Sequence, residues 1–172
     1  MNGTLARLGM VAALALVLLA VDGSIVAKER IRRDGIVVYL ELAPVDPRSL
    51  MQGDYMALRF VLARELEAGL QRGKGGSAAS GSAELLGEGG FALAPLQLDE
   101  RGVASLAPAD RSTVRLRWRL RGGKAWLGTN AFFFQEGDGA RYQPARFGEF
   151  RLDGDSGEAI LVGLRDQALQ PL

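Results

Sequence analysis

Neither cysteine nor histidine occurs among the 172 residues. Their absence excludes disulfides, thiolate nucleophiles, the usual His/Cys zinc sites and every triad that needs an imidazole. It leaves the compartment open, because a chain without cysteine suits an oxidising space and a reducing one alike. A sizeable net charge is also lacking: 21 Lys and Arg against 20 Asp and Glu leave +1. No global field therefore steers the protein to nucleic acid or to an acidic surface, and recognition has to come from local patches.

What is present begins with an apolar run. Residues 8–21 carry no polar side chain, Arg7 precedes them, and past Asp22 the run continues to Ala27. Fourteen residues suit the core of a cleavable export signal, whereas twenty, about 30 Å of helix, reach across a bilayer. Cleavage is poorly supported, since Leu18-Leu19-Ala20 puts leucines where small residues are needed and Asp22-Gly23-Ser24 is a weak alternative. The expectation is an uncleaved transmembrane anchor over 1–28 and one soluble domain over 29–172. Lys28, Arg30, Arg32 and Arg33 outnumber Arg7 and the free amine, so the positive-inside count favours a cytoplasmic domain. The start of the run close to the N-terminus, as in secretory signals, points the other way. A single-pass inner-membrane protein with a periplasmic domain is expected.

The domain reads as short strands. Residues 36–42 are rich in β-branched side chains and bounded by Gly35 and Pro44. Gly53-Asp54 launches a second strand over 55–60, with Met56, Leu58 and Phe60 on one face. Leu62, Leu66 and Leu70 at four-residue spacing predict a short helix over 61–70. A Gly/Ser-rich stretch at 72–90 is too polar and glycine-rich to pack and is expected as a flexible insertion. Hairpins are expected at Asp99-Glu100-Arg101-Gly102, at Gly122-Gly123 and at Gly154-Asp155-Ser156-Gly157. Between the first two, residues 113–121 alternate strictly, Val114, Leu116, Trp118 and Leu120 against Arg115, Arg117, Arg119 and Arg121. The whole predicts a mainly β (α+β) fold, an antiparallel β-sandwich or small barrel with one short helix.

Gly53-Asp54-Tyr55-Met56-Ala57-Leu58-Arg59-Phe60 resembles the signature of the bacterial GDYXXLXY domain proteins, with phenylalanine in place of the final tyrosine. Phe132-Phe133-Phe134-Gln135-Glu136-Gly137, Tyr142, Ala145-Arg146-Phe147-Gly148-Glu149-Phe150-Arg151 and Leu161-Val162-Gly163-Leu164-Arg165-Asp166 are similar to that family's C-terminal half. The resemblance implies a small membrane-anchored protein of unknown function, of a kind often encoded near multi-spanning membrane proteins. It supplies no activity, no cofactor and no catalytic residue. Phe60 and Phe147 stand where tyrosines are usual, and packing is the expected role for both.

Gly53, Asp54, Tyr55, Glu136, Tyr142, Arg146, Glu149, Arg165 and Asp166 form the candidate binding or structural site. In the plain reading Asp54 bonds the amides of its own turn; in the sharper one it anchors Arg146, Glu149 and Arg165, so that the two motifs meet. Ser49 before Gly53-Asp54 would be a nucleophile only with a desolvated lysine in reach, and the sequence offers Lys28, Lys74 and Lys124. The row Arg115, Arg117, Arg119, Arg121 could hold anionic headgroups, glycan or phosphate. The expectation is instead a solvated face relieved by Glu149 and Asp153, with no aromatics among the arginines and no nucleic-acid role. Three consecutive phenylalanines, Phe132, Phe133 and Phe134, cannot all lie on one face of a strand. Glu136-Gly137-Asp138 and Asp153-Gly154-Asp155 read as ordinary turns, and no metal ligand is expected. The functional expectation is an accessory or binding protein that contacts the lipid bilayer through its N-terminal helix and a multi-spanning membrane protein. The alternative is an envelope enzyme using Asp54 and Glu149 as acid and base.

Overall fold

A computed structural model describes residues 2–43, 51–52, 55–73 and 90–172. Ser49, Gly53, Asp54, Lys74 and most of the glycine-rich insertion lie outside the described residues.

The first helix, α1 (Asn2–Asp34), runs six residues beyond the expected anchor. Lys28 to Asp34 contain good helix formers, Glu29 and Arg32 pair across one turn at 3.5 Å, and Arg32 and Arg33 meet the negative end of the helix dipole. The part from Arg7 onward holds an 18-residue window of mean hydropathy 2.4, none of that window buried, and is the one candidate membrane span among the described residues. Ile31 is where α1 first enters the core, at 7% exposure. Gly35 stops the helix, donating its N–H to the Ile31 carbonyl at 2.9 Å. A Cβ at Gly35 would stand 2.4 Å from that carbonyl and 3.1 Å from the Cβ of Arg151, so helix end and domain meet at backbone contact.

The domain is mostly antiparallel sheet curved into a half-barrel. β1 (Ile36–Glu41) and β10 (Ala159–Arg165) flank β9 (Phe147–Leu152). A second sheet orders β2 (Met51–Gln52), β3 (Tyr55–Ala57) and β8 (Ala131–Phe133). The third has the order β5 (Ala104–Leu106), β4 (Phe91–Leu98), β6 (Val114–Arg121) and β7 (Lys124–Trp126). Three seams join them. Tyr39 of β1 bonds the Gly102 carbonyl at 2.9 Å, Ala43 bonds the Arg59 carbonyl at 2.7 Å, and Arg117 of β6 bonds the Gly157 carbonyl at 2.6 Å. One core results, with Val38, Leu40, Phe60, Leu96, Leu116 and Phe150 all at 2% exposure or less.

Strand alternation explains most of this. The expected hairpins form, and Leu116 and Trp118 of β6 are buried while the arginines face outward. The strand expected over 55–60 is shorter. After Ala57 the backbone leaves the β8 ladder: Leu58 bonds the Asn130 carbonyl at 2.7 Å, Phe60 bridges Leu42, and the Phe60 carbonyl accepts from Ala63 as the next helix begins. Met56, Leu58 and Phe60 still share the buried face. α2 (Val61–Gly73) extends past Leu70 and is held by Glu67, which accepts from the Ala125 N–H at 2.9 Å and lies 3.6 Å from Arg59. The turn expected at Glu136-Gly137-Asp138 leads into a short helical turn at Gly139–Tyr142.

Candidate functional site

Alternation along β9 puts Gly148, Phe150 and Leu152 toward the core and Phe147, Glu149 and Arg151 on the opposite face. Glu149 is nonetheless only 5% exposed. A carboxylate withdrawn from water needs compensating charge and hydrogen bonds, and here it has both. Arg165 donates from Nε to Oε2 at 2.6 Å and also contacts that oxygen through Nη2, while Arg151 Nη2 lies 3.8 Å from Oε1. Arg151 further donates to the Gly35 carbonyl at 3.5 Å. The ion network thus runs from the end of β10 to the exit of α1. Beside it, Phe147 packs under the Arg101 guanidinium, 6.0 Å from the ring centre, and Arg101 donates to the Gln167 carbonyl at 3.1 Å.

The structure brings together part of the expected site. Glu149 and Arg165 meet directly. Arg146 joins through its backbone, donating to the Arg165 carbonyl at 2.8 Å and accepting from Leu42 at 2.8 Å, while its side chain is exposed. Asp166 is a turn former: Oδ1 accepts from the Ala168 and Gln170 amides, both at 2.8 Å. Tyr142 packs elsewhere, edge to face on Phe132 at 5.0 Å and tilted on Phe134 at 5.3 Å. Tyr55 lies on another face again, 5.8 Å from Phe133, and Glu136 is exposed in the loop after β8. The phenylalanine triplet therefore splits by strand parity, with Phe133 75% exposed. Lys124, the base a Ser49 nucleophile would have needed, is exposed at a hairpin. Phe60 and Phe147 are both packed, at 1% and 6% exposure.

The arginine row differs from expectation. Glu149 lies in β9 and Asp153 in the turn that follows it, and neither flanks the row. Register sets Phe91 and Trp126 on either side of Arg119, Leu93 opposite Arg117, and Lys124 opposite Arg121. Aromatics do interleave with the guanidiniums, carried by neighbouring strands: Arg117 lies 4.7 Å from the Phe91 ring centre and Arg121 5.3 Å from that of Trp126. Among the described residues the acid that reaches the row is Glu158, from the end of the β9–β10 turn. One oxygen lies 3.2 Å from Arg117 Nη2 and the other contacts Lys28 Nζ of α1. Glu158 borders two concavities, one of about 190 Å³ beneath Phe91, Arg119 and Trp126 and one of about 580 Å³ between α1 and the turn. In that turn Asp153 Oδ1 accepts from the Asp155 and Ser156 amides at 2.8 and 3.2 Å, which holds its carboxyl below the ordinary carboxylate range.

These features define a β-rich domain fixed to the end of an apolar helix long enough to cross a membrane, with two partly exposed arginines closing over a buried carboxylate at the junction. The GDYXXLXY protein family model matches residues 17–164, and the chain belongs to that family. No curated protein and no solved structure matches it.

Proposed function

We propose that the protein is a single-pass accessory protein of the inner membrane that presents its periplasmic domain to a multi-spanning membrane protein. The observation that carries this reading is the coupling of an uncovered apolar helical stretch to a domain docked at its exit. Ile31, Gly35, Arg151 and the Lys28–Glu158 pair set the domain's position relative to α1. A membrane protein packed against α1 would therefore meet the domain in a defined orientation. Tyr55 and Phe133, an exposed aromatic pair outside the core, suit the contact surface. The enzyme alternative draws less support, since both oxygens of Glu149 face guanidiniums rather than an open cleft.

Isolation of the intact chain from mild detergent at native expression tests this reading. Stoichiometric recovery of one multi-spanning membrane protein is expected, and recovery of the chain alone would overturn it. A phosphatase-type reporter joined at Leu172 should be active if the domain is periplasmic.

A further inference from the structure

We propose that the outer face of β6, with the ends of β4 and β7, is a docking surface for the anionic phospholipid headgroups of the bilayer that α1 crosses. Arg115, Arg117, Arg119, Arg121 and Lys124 give this face its charge, and among the described residues none of the positions paired across the strands with them is acidic. Phe91 and Leu93 share it at 56% and 43% exposure. Arg119 lies over Phe91 at 5.6 Å and Arg121 over Trp126 at 5.3 Å, an arrangement that lets in-plane N–H groups reach phosphate oxygens while the rings offer apolar surface. Exposed apolar side chains beside a polybasic row are the composition of surfaces that settle at a lipid interface.

Position singles out lipid from other polyanions. Lys28 is the first charged residue after the stretch 8–27, whose one charge is Asp22, and so marks the headgroup level. Its ion-pair partner Glu158 also holds Arg117 at 3.2 Å. The arginine face is thereby continuous with the point where α1 leaves the bilayer. The inference rests on α1 being an anchor, so the test reads anchoring and docking separately.

Leu93→Cys gives the chain a unique thiol, because the sequence has none. The full chain, labelled there with a polarity-sensitive fluorophore, is reconstituted into vesicles of phosphatidylcholine alone or mixed with phosphatidylglycerol. A headgroup-level spin-labelled lipid should quench the label in the mixed vesicles and not in pure phosphatidylcholine, and high salt should reverse the quenching. Arg119→Ala should lower the docked-to-free ratio about fivefold, the equivalent of ~1 kcal/mol for one arginine at an anionic surface. An alkaline wash reads the anchor. Quenching that is absent or equal in the two vesicle types, in chain that survives the wash, overturns the lipid surface alone. Chain that washes off overturns the anchor and the lipid surface together.

Discussion

Phe60 and Phe150 meet edge to face with ring centroids 5.4 Å apart, and Gly148 makes room for the contact. A Cβ on Gly148 would stand 3.0 Å from Phe60 Cε1 and 3.1 Å from both Phe150 Cε2 and Leu161 Cδ1. The last residue of the first motif is thus seated on the Phe-Gly-Glu-Phe strand of the second, which gives a packing reason for the two to occur together. Phe60→Ala should destabilise the domain by about 3–5 kcal/mol and Gly148→Ala by about 1–3 kcal/mol through overpacking. Urea unfolding of the intact chain in detergent reads both. Wild-type stability in both variants would show that the contact does not support the fold.

Glu149, buried, and Arg165, partly exposed, should behave as a coupled pair. Glu149→Ala leaves Arg165 and Arg151 without their carboxylate and should destabilise by about 3–5 kcal/mol. Arg165→Met, which strands the carboxylate, should do similar damage, while the double variant Glu149→Leu/Arg165→Met should recover most of the loss because neither half of the close pair remains and Arg151 keeps the Gly35 carbonyl. Additive losses in the double variant would contradict the pairing.

What the sequence made legible follows from how local each signal is. The faces of β6 were readable because strand parity is a property of the strand itself, and the turns at Gly122-Gly123 and 154–157 because turn chemistry is local. Which strands lie beside β6 is not local. The interleaving of Phe91 and Trp126 with the arginines, and the absence of Glu149 and Asp153 from that face, depend on sheet order. Glu158 carried no signal, because its partner Lys28 is 130 positions away in sequence. Glu149 and Arg165 were found through motif likeness, while Asp166, marked by the same likeness, proves to shape its own turn.

The Asp153 turn gives a pH dependence of known sign. Backbone hydrogen bonds from Asp155 and Ser156 lower its carboxyl pKa from 3.8, so the folded state binds this proton less readily than the unfolded one. Its contribution is present above the unfolded value and is lost as pH falls through the folded one. Asp153→Ala should therefore be less stable than wild type by a constant margin at neutral and mildly acidic pH, and that margin should narrow once pH drops below the unfolded value. Thermal unfolding across an acid series measures it, and a margin that widens in acid would refute the assignment.

Phe133 should matter for binding and not for folding. At 75% exposure its truncation, Phe133→Ser, should change stability by no more than about 0.5 kcal/mol. It should nonetheless reduce co-isolation of the membrane partner. Unchanged recovery of that partner would remove the Tyr55–Phe133 pair from the proposed contact surface.

Photo-crosslinking in intact membranes at native expression tests the anchored accessory role most directly. A photoreactive residue is placed at Phe133 on the domain or at Leu16 on the uncovered part of α1, 69% exposed. The expected result is one adduct with the same multi-spanning membrane protein from both positions. Adducts confined to lipid or to a second copy of the chain, or none from either position, would contradict it.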